Sequence, residues 1–95
     1  MTTQEIIQRL SFAKSTLFGK YPIKSMAIFG SSARGEAVAE SDVDIVVELN
    51  GRIGLKFVTI ADELEDVLGK KVDLVSRKAI DDRYWKLIEK DLIYV

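Results

Sequence analysis

The chain contains neither cysteine nor histidine. Without cysteine there are no disulfides and no thiolate zinc sites, and a reducing, cytoplasmic setting is the expectation. Without histidine the commonest catalytic base and transition-metal ligand is missing. The chemistry that remains is that of carboxylates, hydroxyls, lysine and arginine, and hard oxygen donors suit magnesium, manganese or calcium. No apolar run approaches the roughly 20 residues of a membrane helix. The opening MTTQEIIQRL lacks the basic start and apolar stretch of a signal peptide. No membrane partner is expected. Net charge is also missing: 14 basic residues face 15 acidic ones. Nothing in that balance draws the chain to a nucleic-acid polymer, so a phosphate ligand has to be held by a local site.

What is present fits one small globular domain over residues 1–95, with 47% apolar and 31% charged residues. Thr2 and Glu5 have the spacing of a capping box. Ile6, Leu10, Ala13 and Leu17 follow at helical period, with Gly19 placed to end the helix. KSMAIFG (24–30) predicts a first strand and DIVVEL (44–49) a second, with a turn at Asn50-Gly51. Phe57, Ile60, Ala61, Leu64 and Leu68 mark a second helix closed by Gly69. KVDLVS (71–76) predicts a third strand, DDRYWKLIEK (81–90) a third helix and LIYV (92–95) an edge strand. The order of elements argues for an α/β (α+β) fold, a small mixed β-sheet with helices packed on it.

Three acids stand out. Side chains at i and i+2 on a strand share a face, so Asp42 and Asp44 point the same way. Two such charges at roughly 6 Å repel by roughly 3 kcal/mol at an effective dielectric near 20. A cation between them or ready access to water relieves that repulsion. Asp73, in VDLV, sits among residues expected to be buried, where an unpaired acid is costly. If the second and third strands are neighbours, Asp73 joins the pair and three carboxylates make a divalent-metal site. A salt bridge to Lys70, Lys71 or Arg77, or simple exposure on a sheet edge, is the other reading of Asp73. Upstream, Gly30-Ser31-Ser32 closes the first strand and opens a short helical turn through SSARG. Backbone N–H groups and serine hydroxyls there can donate to phosphate, and Arg34 can grip phosphate or steady the loop. A phosphate loop beside acids that hold metal suits phosphoryl or nucleotidyl transfer, and no histidine is needed.

Gly30-Ser31, ten intervening residues, then Asp42-Val43-Asp44 resembles the GS–x10–DxD signature of the DNA polymerase β nucleotidyltransferase superfamily. Ala33-Arg34-Gly35 and Ser41 fit its fuller form. The small size and the third acid are similar to the minimal nucleotidyltransferase (MNT) group, and the resemblance covers nearly the whole chain. It implies the polymerase β-like fold and two magnesium ions, with ATP as nucleotide donor. By position, Gly30, Ser31, Ser32 and Arg34 would bind the nucleotide, and Asp42, Asp44 and Asp73 would be the catalytic metal ligands. Asp73 would help deprotonate an acceptor hydroxyl. Members of this group commonly pair with a helical HEPN toxin, and several silence it as antitoxins by adenylylating a tyrosine.

Two alternatives stay open. One is an antitoxin that neutralises a HEPN toxin by binding alone. The other is a small-molecule (antibiotic) nucleotidyltransferase with a separate helical subunit. A partner surface is weakly marked by Tyr84, Trp85 and Leu87, for which packing on the sheet is the plainer expectation. NGRIG (50–54) is a turn that could border the acceptor, though an ordinary loop is favoured.

Overall fold

The computed structural model describes residues 1–95. Helix α1 (Thr3–Lys20) opens with the expected capping box: the Glu5 N–H donates to the Thr2 hydroxyl at 3.1 Å, and the Thr2 N–H donates to the Glu5 carboxylate at 3.3 Å. It runs one residue past Gly19, and the Tyr21 N–H closes it on the Leu17 carbonyl at 3.0 Å. Strand β1 (Ile23–Phe29) leads into the one-turn helix α2 (Gly30–Arg34), and a loop returns the chain as β2 (Val43–Leu49). Helix α3 (Lys56–Leu68) ends at Gly69 with φ +67, as its position predicts. Strand β3 (Val72–Ser76), a 3-10 turn (Arg77–Ala79), helix α4 (Asp82–Ile88), a second 3-10 turn (Glu89–Asp91) and β4 (Ile93–Tyr94) complete the chain.

The sheet order is β3-β2-β1-β4. Strand β1 runs antiparallel to β2 and β4, whereas β2 and β3 are parallel. The mixed sheet expected from the sequence is therefore present, and β3 and β4 form its edges.

Alternation divides the strands between two faces. On one, Met26, Ile28, Val43, Ile45 and Val47 meet Ile6, Leu10 and Leu17 of α1 and Ile60, Leu64 and Leu68 of α3 in the main core. Each fully buried aliphatic chain of this kind contributes about 1.5–3 kcal/mol. The other face carries the smaller cluster of Ala27, Phe29, Val46, Ile80 and Ile88, with Trp85 packed against it. Helix α4 covers only part of this second face. Asp44 and Asp73 belong to the second face by parity, because their neighbours Val43, Ile45, Val72 and Leu74 all pack into the main core.

Candidate active site

Three chain segments meet at one end of the sheet. Phe29, the last residue of β1, lies opposite Asp44 near the start of β2, and Asp44 lies opposite Asp73 near the start of β3. Parallel, in-register pairing sets the two aspartates about 4.8 Å apart along the hydrogen-bonding direction, on the face that the main helices leave free. Asp42 immediately precedes β2 and is exposed. A turn fixes its approach: the Ser41 N–H donates to the Val38 carbonyl at 3.0 Å, and the Val38 N–H donates to the Ser41 hydroxyl at 3.1 Å.

Burial, the larger cause, and then the charges of Asp73 and Asp42 push the Asp44 carboxyl above its ordinary value, against a smaller opposing pull from Arg34. A divalent cation would reverse the charge part of that shift, so the donor set fits a hard metal. The three carboxylates do not converge as a ready-made ligand cluster, and three like charges have no electrostatic reason to do so.

For Asp73 the structure gives the second of its sequence readings, exposure on a sheet edge. It is exposed, not enclosed among apolar neighbours. The reason is strand order: β3 is an edge, and only the face carrying Val72 and Leu74 packs inward.

Gly30 turns the chain from β1 into α2 with φ +69, a left-handed conformation that side chains other than glycine's adopt at a cost of about 1–2 kcal/mol. A Cβ here would lie 3.4 Å from Asp44 Cγ and closer still to Oδ2. The glycine therefore lets backbone approach carboxylate. Ser31, the next residue, is half-exposed beside the acids. Ser32 is 1% exposed and its hydroxyl is buried without a partner. One step of about 100° around the helix carries it from the open face toward α1, where its carbonyl accepts from the Thr3 hydroxyl. The phosphate-loop expectation for the Ser32 side chain does not match this placement.

Arg34 spends its guanidinium on the protein itself. Its Nε donates to Glu36 at 2.7 Å and its Nη1 to Asp91 at 3.0 Å. These two bonds tie α2 to the turn that follows α4, which is the loop-steadying role. Asp91 is a residue that sequence reasoning missed, because no local pattern links positions 57 residues apart.

At two other places the plainer reading of the sequence holds. Asn50 follows β2 at the end opposite Asp44, its N–H bonded to the Pro22 carbonyl at 2.8 Å. The 50–54 loop therefore does not border the carboxylates. Trp85 packs on the sheet with the Arg77 guanidinium 3.9 Å above its ring, whereas Tyr84 and Leu87 are exposed. A groove of about 670 Å³ between α1 and α3, lined by Arg9, Phe12, Thr16 and Val67, lies behind the sheet, away from the acids.

A mixed sheet with a glycine-serine turn set against paired acids defines a nucleotide-transferring domain. The family model for the nucleotidyltransferase domain matches residues 5–95. The chain belongs to this nucleotidyltransferase family, and it is a nucleotidyltransferase. It is 34% identical over 96 residues to the protein adenylyltransferase MntA of Thermococcus cleftensis, covering 100% of this chain and 97% of that one. It is 46% identical over 98 residues to a Methanocaldococcus jannaschii protein provisionally named a protein adenylyltransferase, covering 99% and 98%. A solved structure provisionally described as a minimal nucleotidyltransferase superposes with a TM-score of 0.84 at 31% identity, over 98% of this chain and 95% of that one. The fold is also similar, with a TM-score of 0.69 at 18% identity over 94% of this chain and 70% of that one, to a chain in the complex of tri-AMPylated Shewanella oneidensis HEPN toxin with MNT antitoxin.

Proposed function

We propose that this protein transfers AMP from ATP to a tyrosine hydroxyl of a HEPN toxin and so acts as that toxin's antitoxin. The observation that carries the reading is the Asp44–Asp73 pair standing side by side against the Gly30-Ser31 turn. The names of the archaeal relatives support adenylyl transfer to protein. The Shewanella complex supports a HEPN partner.

In this reading the Gly30 backbone and the Ser31 hydroxyl hold the outer phosphates of ATP. Asp42, Asp44 and Asp73 would hold magnesium, which would supply neutralisation of the charge that develops on the transferring phosphate. The acceptor oxygen attacks the α-phosphorus while the bond to the pyrophosphate oxygen breaks. The acceptor proton passes to the exposed carboxylate of Asp73. Arg34, held by Glu36 and Asp91, keeps α2 in place.

The test is to incubate the protein with α-labelled ATP, magnesium and a HEPN partner encoded beside it, and to weigh the partner. AMP-sized mass gains that vanish with Asp42→Asn/Asp44→Asn establish the transferase and the acceptor together. A tight complex without mass gain would replace it with an antitoxin that acts by binding.

A further inference from the structure

Strand β3 carries Asp73 and is an edge of the sheet. The Val43 N–H donates to the Lys71 carbonyl at 2.9 Å, which fixes which β3 residues face β2. Along the ladder, the backbone groups of Asp73 and Val75 turn toward β2, and those of Val72, Leu74 and Ser76 turn outward. The chain plugs only the first outward donor, with Glu65 Oε2 accepting from the Val72 N–H at 2.9 Å. The Leu74 and Ser76 N–H groups face away from the sheet, with no backbone partner outside the ladder.

The two ends of this edge are basic. Lys71 precedes it and Lys78 follows it; both are exposed, and neither takes part in an ion pair. Arg77 sits at the same end as Lys78, held over Trp85. An unpaired edge is a template for another strand. A residue of an added strand that lies abreast of Asp73 puts its side chain on the same face as Asp73.

We infer that the free edge of β3 docks an extended, acidic segment of the acceptor protein by strand addition, and thereby presents the acceptor hydroxyl beside Asp73. This rests on the transfer reading above. It specifies how the acceptor is held: main-chain bonds at Leu74 and Ser76 set the register, and Lys71 and Lys78 select acidic flanks. The span is short, since five strand residues cover about 17 Å. A flexible acceptor segment therefore suffices, and its own fold does not matter.

The probe is a fluorescently labelled random copolymer of glutamate and tyrosine, with a lysine–tyrosine copolymer as control, titrated with the full chain. The glutamate copolymer is expected to bind at least tenfold more tightly at low salt. Lys78→Glu should weaken it by about tenfold. Ser76→Pro should weaken it severalfold. Ser76 has φ −88 and ψ 139, so proline fits the backbone there and removes only the outward donor. Equal binding of the two copolymers, or binding unmoved by Lys78→Glu, overturns the proposal. Lys78 is a surface position, so that variant decides the matter whether or not Ser76→Pro folds. Labelled ATP and magnesium in the same mixtures separate the two claims. Selective binding without AMP transfer sinks the transfer reading and leaves the docking edge. Transfer to both copolymers alike sinks the docking edge and leaves the transferase.

Discussion

Gly30 lies against the carboxylate of Asp44, so closely that the space for a Cβ is already taken. Gly30→Ala meets two penalties, a left-handed φ of +69 and a clash with Asp44. We expect a loss of about 1–3 kcal/mol of stability, read as a lower urea midpoint. AMP transfer should fall further than stability explains, because Asp44 must shift to admit the methyl. Gly35, also left-handed at φ +74, has only the Thr3 hydroxyl at 3.8 Å near its would-be Cβ. Gly35→Ala should therefore destabilise through backbone strain alone and leave nucleotide affinity nearly intact.

The Arg34–Asp91 bond joins α2 to the far end of the chain. Both partners are partly exposed, so the pair contributes little to stability. Its expected effect lies elsewhere. Asp91→Asn should raise the KM for ATP by about tenfold, at the lower end of losses seen when a group that orients a binding residue is removed. Asp91→Glu should restore it. Steady-state kinetics on a fixed acceptor check this, and an unchanged KM with lowered kcat would contradict the loop-bracing role.

How much of this was legible in the sequence follows from what each feature depends on. The capping box, the strands and the glycine-serine turn depend on residues a few positions apart, and they stand where the pattern puts them. Asp44 lies on the face away from the main core by simple alternation with Val43 and Ile45. Strand order is not local. The exposure of Asp73 follows from β3 being an edge, and the remoteness of the 50–54 loop from β2 being entered at its catalytic end. The edge position does not follow from any single segment, whereas the loop's distance is already set by one strand that has Asp44 near its start and Asn50 after its end. Ser32 was misplaced for a subtler reason: in a one-turn helix, one residue's step separates the open face from the core. The Arg34–Asp91 brace needed the tertiary structure to be seen at all.

Glu63 gives a pH test away from the site. A hydrogen bond from Lys20, and then the influence of the neighbouring Tyr21, hold its carboxyl below the usual 4.5. The folded state therefore binds this proton less tightly than the unfolded chain. The stability Glu63 contributes is fully present above about 4.5 and is lost as pH falls through the lowered folded value. Glu63→Gln should be less stable than the parent at pH 7, and the difference should shrink in the acid range. Urea midpoints of both proteins at several pH values measure it. A gap that widens on acidification would mean that the bond does not form in solution.

Asp44 should behave in the opposite sense. Burial first, and then Asp73 and Asp42, raise its carboxyl above the usual 3.8. The folded state holds this proton more tightly than the unfolded chain, so ionisation works against folding. That penalty is absent below the ordinary value and sets in as pH rises through the raised one. Asp44→Asn should therefore raise the melting temperature at pH 7 and change it little at acid pH. The same substitution should lower AMP transfer by about a hundredfold or more, the scale of losing one preorganised electrostatic group. Magnesium should raise the melting temperature of the parent at pH 7, because a cation relieves the same repulsion and binds only the folded form. It should do so much less for Asp44→Asn. Melting curves with magnesium and with a chelator separate the cases. An Asp44→Asn protein that is less stable than its parent at neutral pH would show that the carboxylate serves the fold, not the chemistry.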